Sequence, residues 1–312
     1  MCNKSKILVT YILNDIDMKK ILFLSSLFIL LLTISATKEK SHKKFFEDFR
    51  KSSSKYFSPN LRRSGTEDRY AFAKESSIEP GTSTLTFMID PEDPAGAGRG
   101  PEIVSKNFTH FGTYAARLKI PDVTKVQPNA GIVAGYFTYH MEADPGLSEI
   151  DWEWLVADPE IIYIGTWTGQ RGKLQRIGRT LNMAKGTIFS TSYHERPGET
   201  RTTLEGLQNQ PETIPAIEGY NASKQFYTYG FDWYPDKVRW WIIHPVTADT
   251  IVLWDYKGSQ VGIPQNHTHY RLNFWHTNDW PVEGNPNSIE KPLNRYELEC
   301  DWMSYTPAKK MK

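Results

Sequence analysis

Between about residue 83 and about residue 305, apolar and aromatic side chains come in short runs, many of them alternating with polar ones. Clusters of Gly, Pro, Asn and Asp separate the runs. A period of two marks a strand, because successive side chains point to opposite faces. Strands are therefore expected at 83–89, 102–105, 112–120, 131–139, 149–154, 161–168, 225–233, 237–243, 251–254, 269–275 and 295–305. Residues 234–236 (Tyr-Pro-Asp) read as a hairpin turn and 90–101 (DPEDPAGAGRGP) as a turn-rich loop. Residues 52–68 are poor in aliphatic side chains and read as loop. The polar stretch 169–218 holds few long apolar runs, so part of it is expected to be long surface loop that reshapes one end of any cleft. No long amphipathic helix pattern and no fixed repeat is present. Many short strands with turn signals predict an all-β sandwich or barrel, built as one domain over residues 43–312, a length within the usual range for a single β-sandwich.

One predicted strand carries the chemistry. Glu149-Ile150-Asp151-Trp152-Glu153-Trp154 places three carboxylates at i, i+2 and i+4. On a strand all three project from one face, and Ile150, Trp152 and Trp154 project from the other, where they can anchor the strand in a core. Like charges this close cannot all stay ionised at no cost, so at least one pKa should rise. A retaining glycosidase needs that set: one carboxylate to attack and one carboxylic acid to protonate the leaving group.

Composition narrows the partners. Lys and Arg number 37 against 36 Asp and Glu, a net charge of +1 with no basic block, which gives nothing to steer nucleic acid. Ten Trp, 16 Tyr and 15 Phe exceed what a core alone needs, and exposed rings are a common grip on sugar faces. Met18-Lys19-Lys20, the apolar run 21–34 and Ser35-Ala36 have the three parts of a secretory signal. Residues 1–36 are thus expected to be an upstream extension plus signal peptide, with Met18 a candidate true start. Residues 37–42 follow as a short linker. The apolar run is short for a membrane span, so a secreted, extracellular protein with no membrane attachment after cleavage is expected. Three sequons, at Asn107, Asn221 and Asn266, fit that route. Cys2 lies before the cleavage point and Cys300 in a strand-like run, so the mature chain has one buried, inert thiol and no internal disulfide. His267 and His269 form the one short histidine pair, which reads as a surface strand and not as a zinc site.

Beyond the acidic strand, several segments in the same order resemble glycoside hydrolase family 16, with licheninases as the nearest pattern. They are Phe45-Phe46-Glu47-Asp48-Phe49, the run 111–118 (FGTYAARL), Tyr136-Phe137-Thr138-Tyr139, the run 226–233 (FYTYGFDW), Leu272-Asn273-Phe274-Trp275 and the run 300–305 (CDWMSY). The resemblance implies a β-jelly-roll of two curved antiparallel sheets. It implies Glu149 as nucleophile, Glu153 as acid/base and Asp151 as the helper between them. Glu102, Phe137, Trp167, Asn273 and Trp275 stand where the family contacts the sugar. Val104, Gly165 and Leu147 depart from the licheninase residues at their positions, which leaves the exact glucan open. Asp301 matches a position near a structural calcium in some relatives; no cofactor is required for the chemistry. The expected activity is retaining, endo-acting hydrolysis of a β-linked polysaccharide by a monomer. A cell-wall transglycosylase using the same acids is the alternative, with a catalytically silent carbohydrate binder behind it.

Overall fold

In a computed structural model the described residues are 42–195 and 200–309. The signal segment and most of the linker expected before residue 43 lie outside them. The strands run in chain order as β1 (Phe45–Glu47), β2 (Phe57–Pro59), β3 (Tyr70–Glu75), β4 (Ser83–Ile89), β5 (Glu102–Ser105) and β6 (Gly112–Lys119). Next come β7 (Ile132–Met141), β8 (Leu147–Leu155), β9 (Ile161–Gly169), β10 (Gln175–Asn182), β11 (Thr187–Glu195) and β12 (Thr200–Thr203). The last five are β13 (Tyr227–Tyr234), β14 (Lys237–Ile243), β15 (Thr250–Tyr256), β16 (His269–His276) and β17 (Tyr296–Pro307). They form two antiparallel sheets of a jelly-roll. One has the order β15-β14-β13-β6-β17-β4-β3, with β1 added on β17; the other has the order β12-β11-β10-β9-β8-β7-β16-β5-β2. Among the described residues no helix is long and apolar enough to cross a membrane.

The core lies between the sheets and is aromatic. Trp152 and Trp154 from β8 are fully buried and stacked at 5.9 Å, and both meet Tyr229 of the opposite sheet, at 5.1 and 4.8 Å. Each ring system removes roughly 150–250 Å² from water, worth about 4–6 kcal/mol before ordering entropy is subtracted. Trp240, also buried, donates from Nε1 to the backbone oxygen of Asp151 at 3.0 Å. The acidic strand is therefore nailed to the other sheet by its inner face, and its outer face is left for chemistry. Cys300 is buried, and burial raises its thiol pKa, which fits the inert thiol expected from sequence.

The stretch 169–218 departs from expectation. Residues 175–182, 187–195 and 200–203 pair as β10, β11 and β12 and extend the sheet that carries the acids; 204–218 form no strand and hold one short 3-10 turn at 206–209. The inward row of β10 reads Ile177, Arg179, Leu181, all buried. Arg179 sits among apolar neighbours because its guanidinium donates to Leu253 O, Pro211 O, Asn209 Oδ1 and Thr191 Oγ1 at 2.7 to 2.9 Å. A cation in a core row, with small polar residues facing outward, hides the strand period from a hydropathy pattern.

Candidate active site

Strand register brings the acids and their neighbours into three adjacent rows on the outer face. Glu149 lies between Tyr139 of β7 and Trp167 of β9, and Arg176 of β10 pairs with Trp167. Asp151 lies between Phe137 and Gly165, with Gly178 next. Glu153 lies between Gly135 and Tyr163; beyond Gly135 follow Asn273 of β16 and Glu102 of β5. The two glycines beside Asp151 keep the middle row low. A Cβ on Gly165 would meet Ile177 O at 2.5 Å. One on Gly135 would meet Asn273 Oδ1 at 2.5 Å, so Gly135 is what lets Asn273 lean toward Glu153. An open cleft of about 180 Å³ follows from Asp151 and Glu153 over Tyr163, Trp167 and Arg176 toward Arg201.

The electrostatics match a proton-sharing trio. Burial, and then the charge of Glu153, push Glu149 up to about 8. Burial pushes Glu153 up to about 7, against the opposing pull of Arg176. Asp151 goes well above the usual carboxylate range, through burial and then the charges of Glu149 and Glu153. The side-chain hydrogen bond between Asp151 and Glu149 raises the first and lowers the second. Glu149 is the higher of the two glutamates, the reverse of what a nucleophile and an acid require. The hydrogen bond from Asp151 and the charge of Arg271 pull Glu149 in the direction a nucleophile needs, and burial with the charge of Glu153 outweighs them.

The expected sugar contacts are gathered here, with different characters. Asn273 is buried, and its Oδ1 has no protein partner among the described residues, so it is a polar atom waiting beside Glu153. Phe137 and Trp167 are half-buried on the same face, and Arg176 stacks over the Trp167 ring at 4.9 Å. Trp275 is 6% exposed and packs with Val133, Leu155 and Val282 in a small apolar cluster at the cleft's edge. Glu102 is 2% exposed, and its oxygens accept from Asn60 at 2.7 Å, Arg271 at 2.8 Å and Arg63 at 3.1 Å. Sequence reasoning missed Arg271, which pairs directly with Val104 from the neighbouring strand. Arg271 also lies over Tyr139 at 5.1 Å. Tyr139 and Arg271 fall in step with Phe137 and Asn273 at spacings of two, a signal the strand pattern contains. Arg176 carried no such signal, because its strand read as loop.

Two metal expectations need correction. Asp301 is ion-paired to Arg117 at 2.7 Å, and Arg117 also binds Glu79 at 2.6 Å. A guanidinium already neutralises that carboxylate, so it does not fit the oxygen shell calcium needs. The histidines are not merely a surface pair. His42, His110 and His267 come together with ring nitrogens within 4.8 Å of one another, from positions too far apart in sequence to show any spacing.

The family model for glycosyl hydrolases family 16 matches residues 66–195. A β-glucanase of Acetivibrio thermocellus is 25% identical over 213 residues, covering 66% of this chain and 45% of its own length. A β-glucanase of Paenibacillus macerans is 24% identical over 213 residues, covering 66% of this chain and 63% of its own. The chain therefore spans less than two thirds of either glucanase. A prokaryotic β-1,3-1,4-glucanase (lichenase) from a mouse hindgut metagenome superposes with a TM-score of 0.51 at 19% identity, over 86% of this chain and all of the other, which supports the shared fold. The matched segment holds the acidic strand and the strands on both its sides, and it is over this segment that the chain is similar to glycosyl hydrolase family 16.

Proposed function

We propose that this chain is a secreted, retaining, endo-acting β-glucan hydrolase. The single observation that carries the reading is the acidic row: Glu149, Asp151 and Glu153 on one outward face, with Asp151 and Glu153 lining a cleft and Asp151 hydrogen-bonded to Glu149. In the first step the Glu149 carboxylate attacks the anomeric carbon while Glu153 gives its proton to the departing glycosidic oxygen. The C–O bond to the leaving sugar breaks and a glycosyl-Glu149 ester forms. In the second step Glu153, now a base, takes a proton from water; the water oxygen attacks the anomeric carbon and Glu149 leaves. Glu side chains suit both ends, because Cα atoms at i and i+4 on a strand lie about 13 Å apart while the carboxyls must approach to about 5–5.5 Å.

The row from Glu102 through Asn273, Glu153 and Tyr163 to Ser190 crosses seven neighbouring strands. At about 4.8 Å per strand this is roughly 29 Å, room for several sugars on both sides of the acids, as internal cleavage needs. Asn273 and Arg271 serve one side, with Glu102 holding Arg271 in place. Trp167 with Arg176 offers a platform on the other side, and a sugar held there in place of water would make the same ester a transfer intermediate. Incubation with mixed-linkage glucan, laminarin, xyloglucan and chitin-oligosaccharide acceptors, with products sized by chromatography, tests the reading. New reducing ends on a β-glucan, with early fall in chain length, are expected. Chain-length redistribution without new reducing ends would favour transfer, and inertness toward all four would refute the substrate class.

A further inference from the structure

We propose that His42, His110 and His267 form a metal site for a divalent transition ion, with Zn²⁺ as its reference occupant, clamping the two sheets at one edge of the sandwich. The backbone sets two of the ligands. Thr109 and Thr268 bond each other in both directions, at 2.8 and 2.9 Å, so His110 and His267 are cross-strand neighbours on the segments that lead into β6 and β16. These two strands belong to opposite sheets, and β16 is in the sheet that carries the acids. His42 supplies the third ring from the segment just before β1.

The ring tautomers favour coordination. His42 Nδ1 lies 2.9 Å from Phe108 O, and His110 Nε2 lies 2.9 Å from Gln265 O. A carbonyl oxygen only accepts, so each of these nitrogens carries the proton. In a neutral ring the lone pair then sits on His42 Nε2 and on His110 Nδ1. Ligand histidines are held in this manner, the far N–H given to a backbone carbonyl. His42 Nε2 accepts a hydrogen bond from His267 Nδ1 at 3.0 Å, so metal entry displaces that proton and moves it to Nε2 of the His267 ring. Two nitrogens bound to one tetrahedral zinc at about 2.0–2.1 Å are about 3.3–3.4 Å apart, so this pair needs only a small opening to admit the ion. His110 is fixed further by stacking on Phe111 at 3.9 Å and by its edge contact with Trp233 at 5.3 Å. All three rings are half-buried, which leaves a side open for entry and for a water as fourth ligand. Neutral imidazoles suit Zn²⁺, Cu²⁺ and Ni²⁺ and not Ca²⁺ or Mg²⁺. None of the three lines the catalytic cleft, so the site is separate from the acids.

The test uses the untagged full chain, stripped with EDTA, and titrates Zn²⁺ by calorimetry and by thermal melting. One Zn²⁺ per chain is expected, with melting raised by about 5 °C at a hundredfold excess over Kd. His42→Ala and His110→Ala should each weaken binding by about tenfold or more and remove the melting shift, with circular dichroism confirming that each variant folds. His42 precedes the first strand, so its variant remains informative even where the other perturbs the fold. Mg²⁺ in place of Zn²⁺ should shift nothing. Zn²⁺ binding of equal strength in the parent and in a folded His42→Ala variant, or the absence of binding in the parent, overturns the proposal.

Discussion

Glu149 and Glu153 have the same side chain and are asked to do opposite jobs, so their neighbours must set them apart. Asp151 does this for Glu149 by donating a hydrogen bond, and Arg271 adds a favourable charge. Arg176 acts on Glu153, lowering its pKa. Without that cation Glu153 should hold its proton to higher pH, so Arg176→Gln is expected to move the alkaline limb of kcat/KM upward in pH; an unmoved limb would remove Arg176 from the proton bookkeeping. Glu149→Gln and Glu153→Gln should each lower turnover by about a thousandfold or more with the fold intact. Adding azide separates their roles. In Glu149→Ala a glycosyl azide of inverted anomeric configuration should restore some turnover, and in Glu153→Ala one of retained configuration. The acids were legible in sequence because a period of two puts them on one face whatever the rest does. The partners of Glu102 were not, since Asn60, Arg63 and Arg271 arrive from a loop and a distant strand.

Strand β8 works because its two faces are separately committed. The inner face is held by Trp152, Trp154 and the Trp240 hydrogen bond to Asp151 O. Trp240→Phe removes that bond and some packing, and should cost about 1–3 kcal/mol in denaturant unfolding with a fall in kcat from a loosened acid row; a variant as stable and active as the parent would show that the tie is idle. On the outer face, Gly135→Ala pushes only the flexible end of Asn273. A fall in kcat/KM of about tenfold with little change in Tm is expected, and an unchanged kcat/KM would take Asn273 away from the sugar. Strands β4, β5 and β14 match their expected bounds, because their alternation or apolar runs are clean. Strands β10 to β12 were missed because Arg179 occupies a core position and small polar residues floor the cleft, so function had replaced the hydrophobic pattern there.

The sandwich as a whole stabilises a site that works against it. Glu149 and Glu153 have folded pKa values raised from 4.5 to about 8 and about 7. A raised acid pKa means the native chain holds protons that the unfolded chain has released. Stability should therefore be highest near pH 4.5 and fall as pH rises to about 8. Glu153→Gln cannot ionise, so its melting curve should be flatter across that window and its Tm at pH 8 about 2–4 °C above the parent, roughly 1 kcal/mol in a domain of this size. Parallel pH profiles for parent and variant would contradict this. The all-β class was readable from strand count and turn spacing and the jelly-roll only from the family resemblance, and the assignment of each strand to one sheet or the other was not legible, since partners such as β6 and β17 lie far apart in the chain. The most direct test of the central claim is to trap the intermediate with a 2-deoxy-2-fluoro β-glucoside bearing a good leaving group and to map the labelled peptide by mass spectrometry. One sugar ester on Glu149 is predicted; a label on Glu153 or Asp151, or turnover of the natural glucan with inversion at the anomeric carbon, would contradict the account.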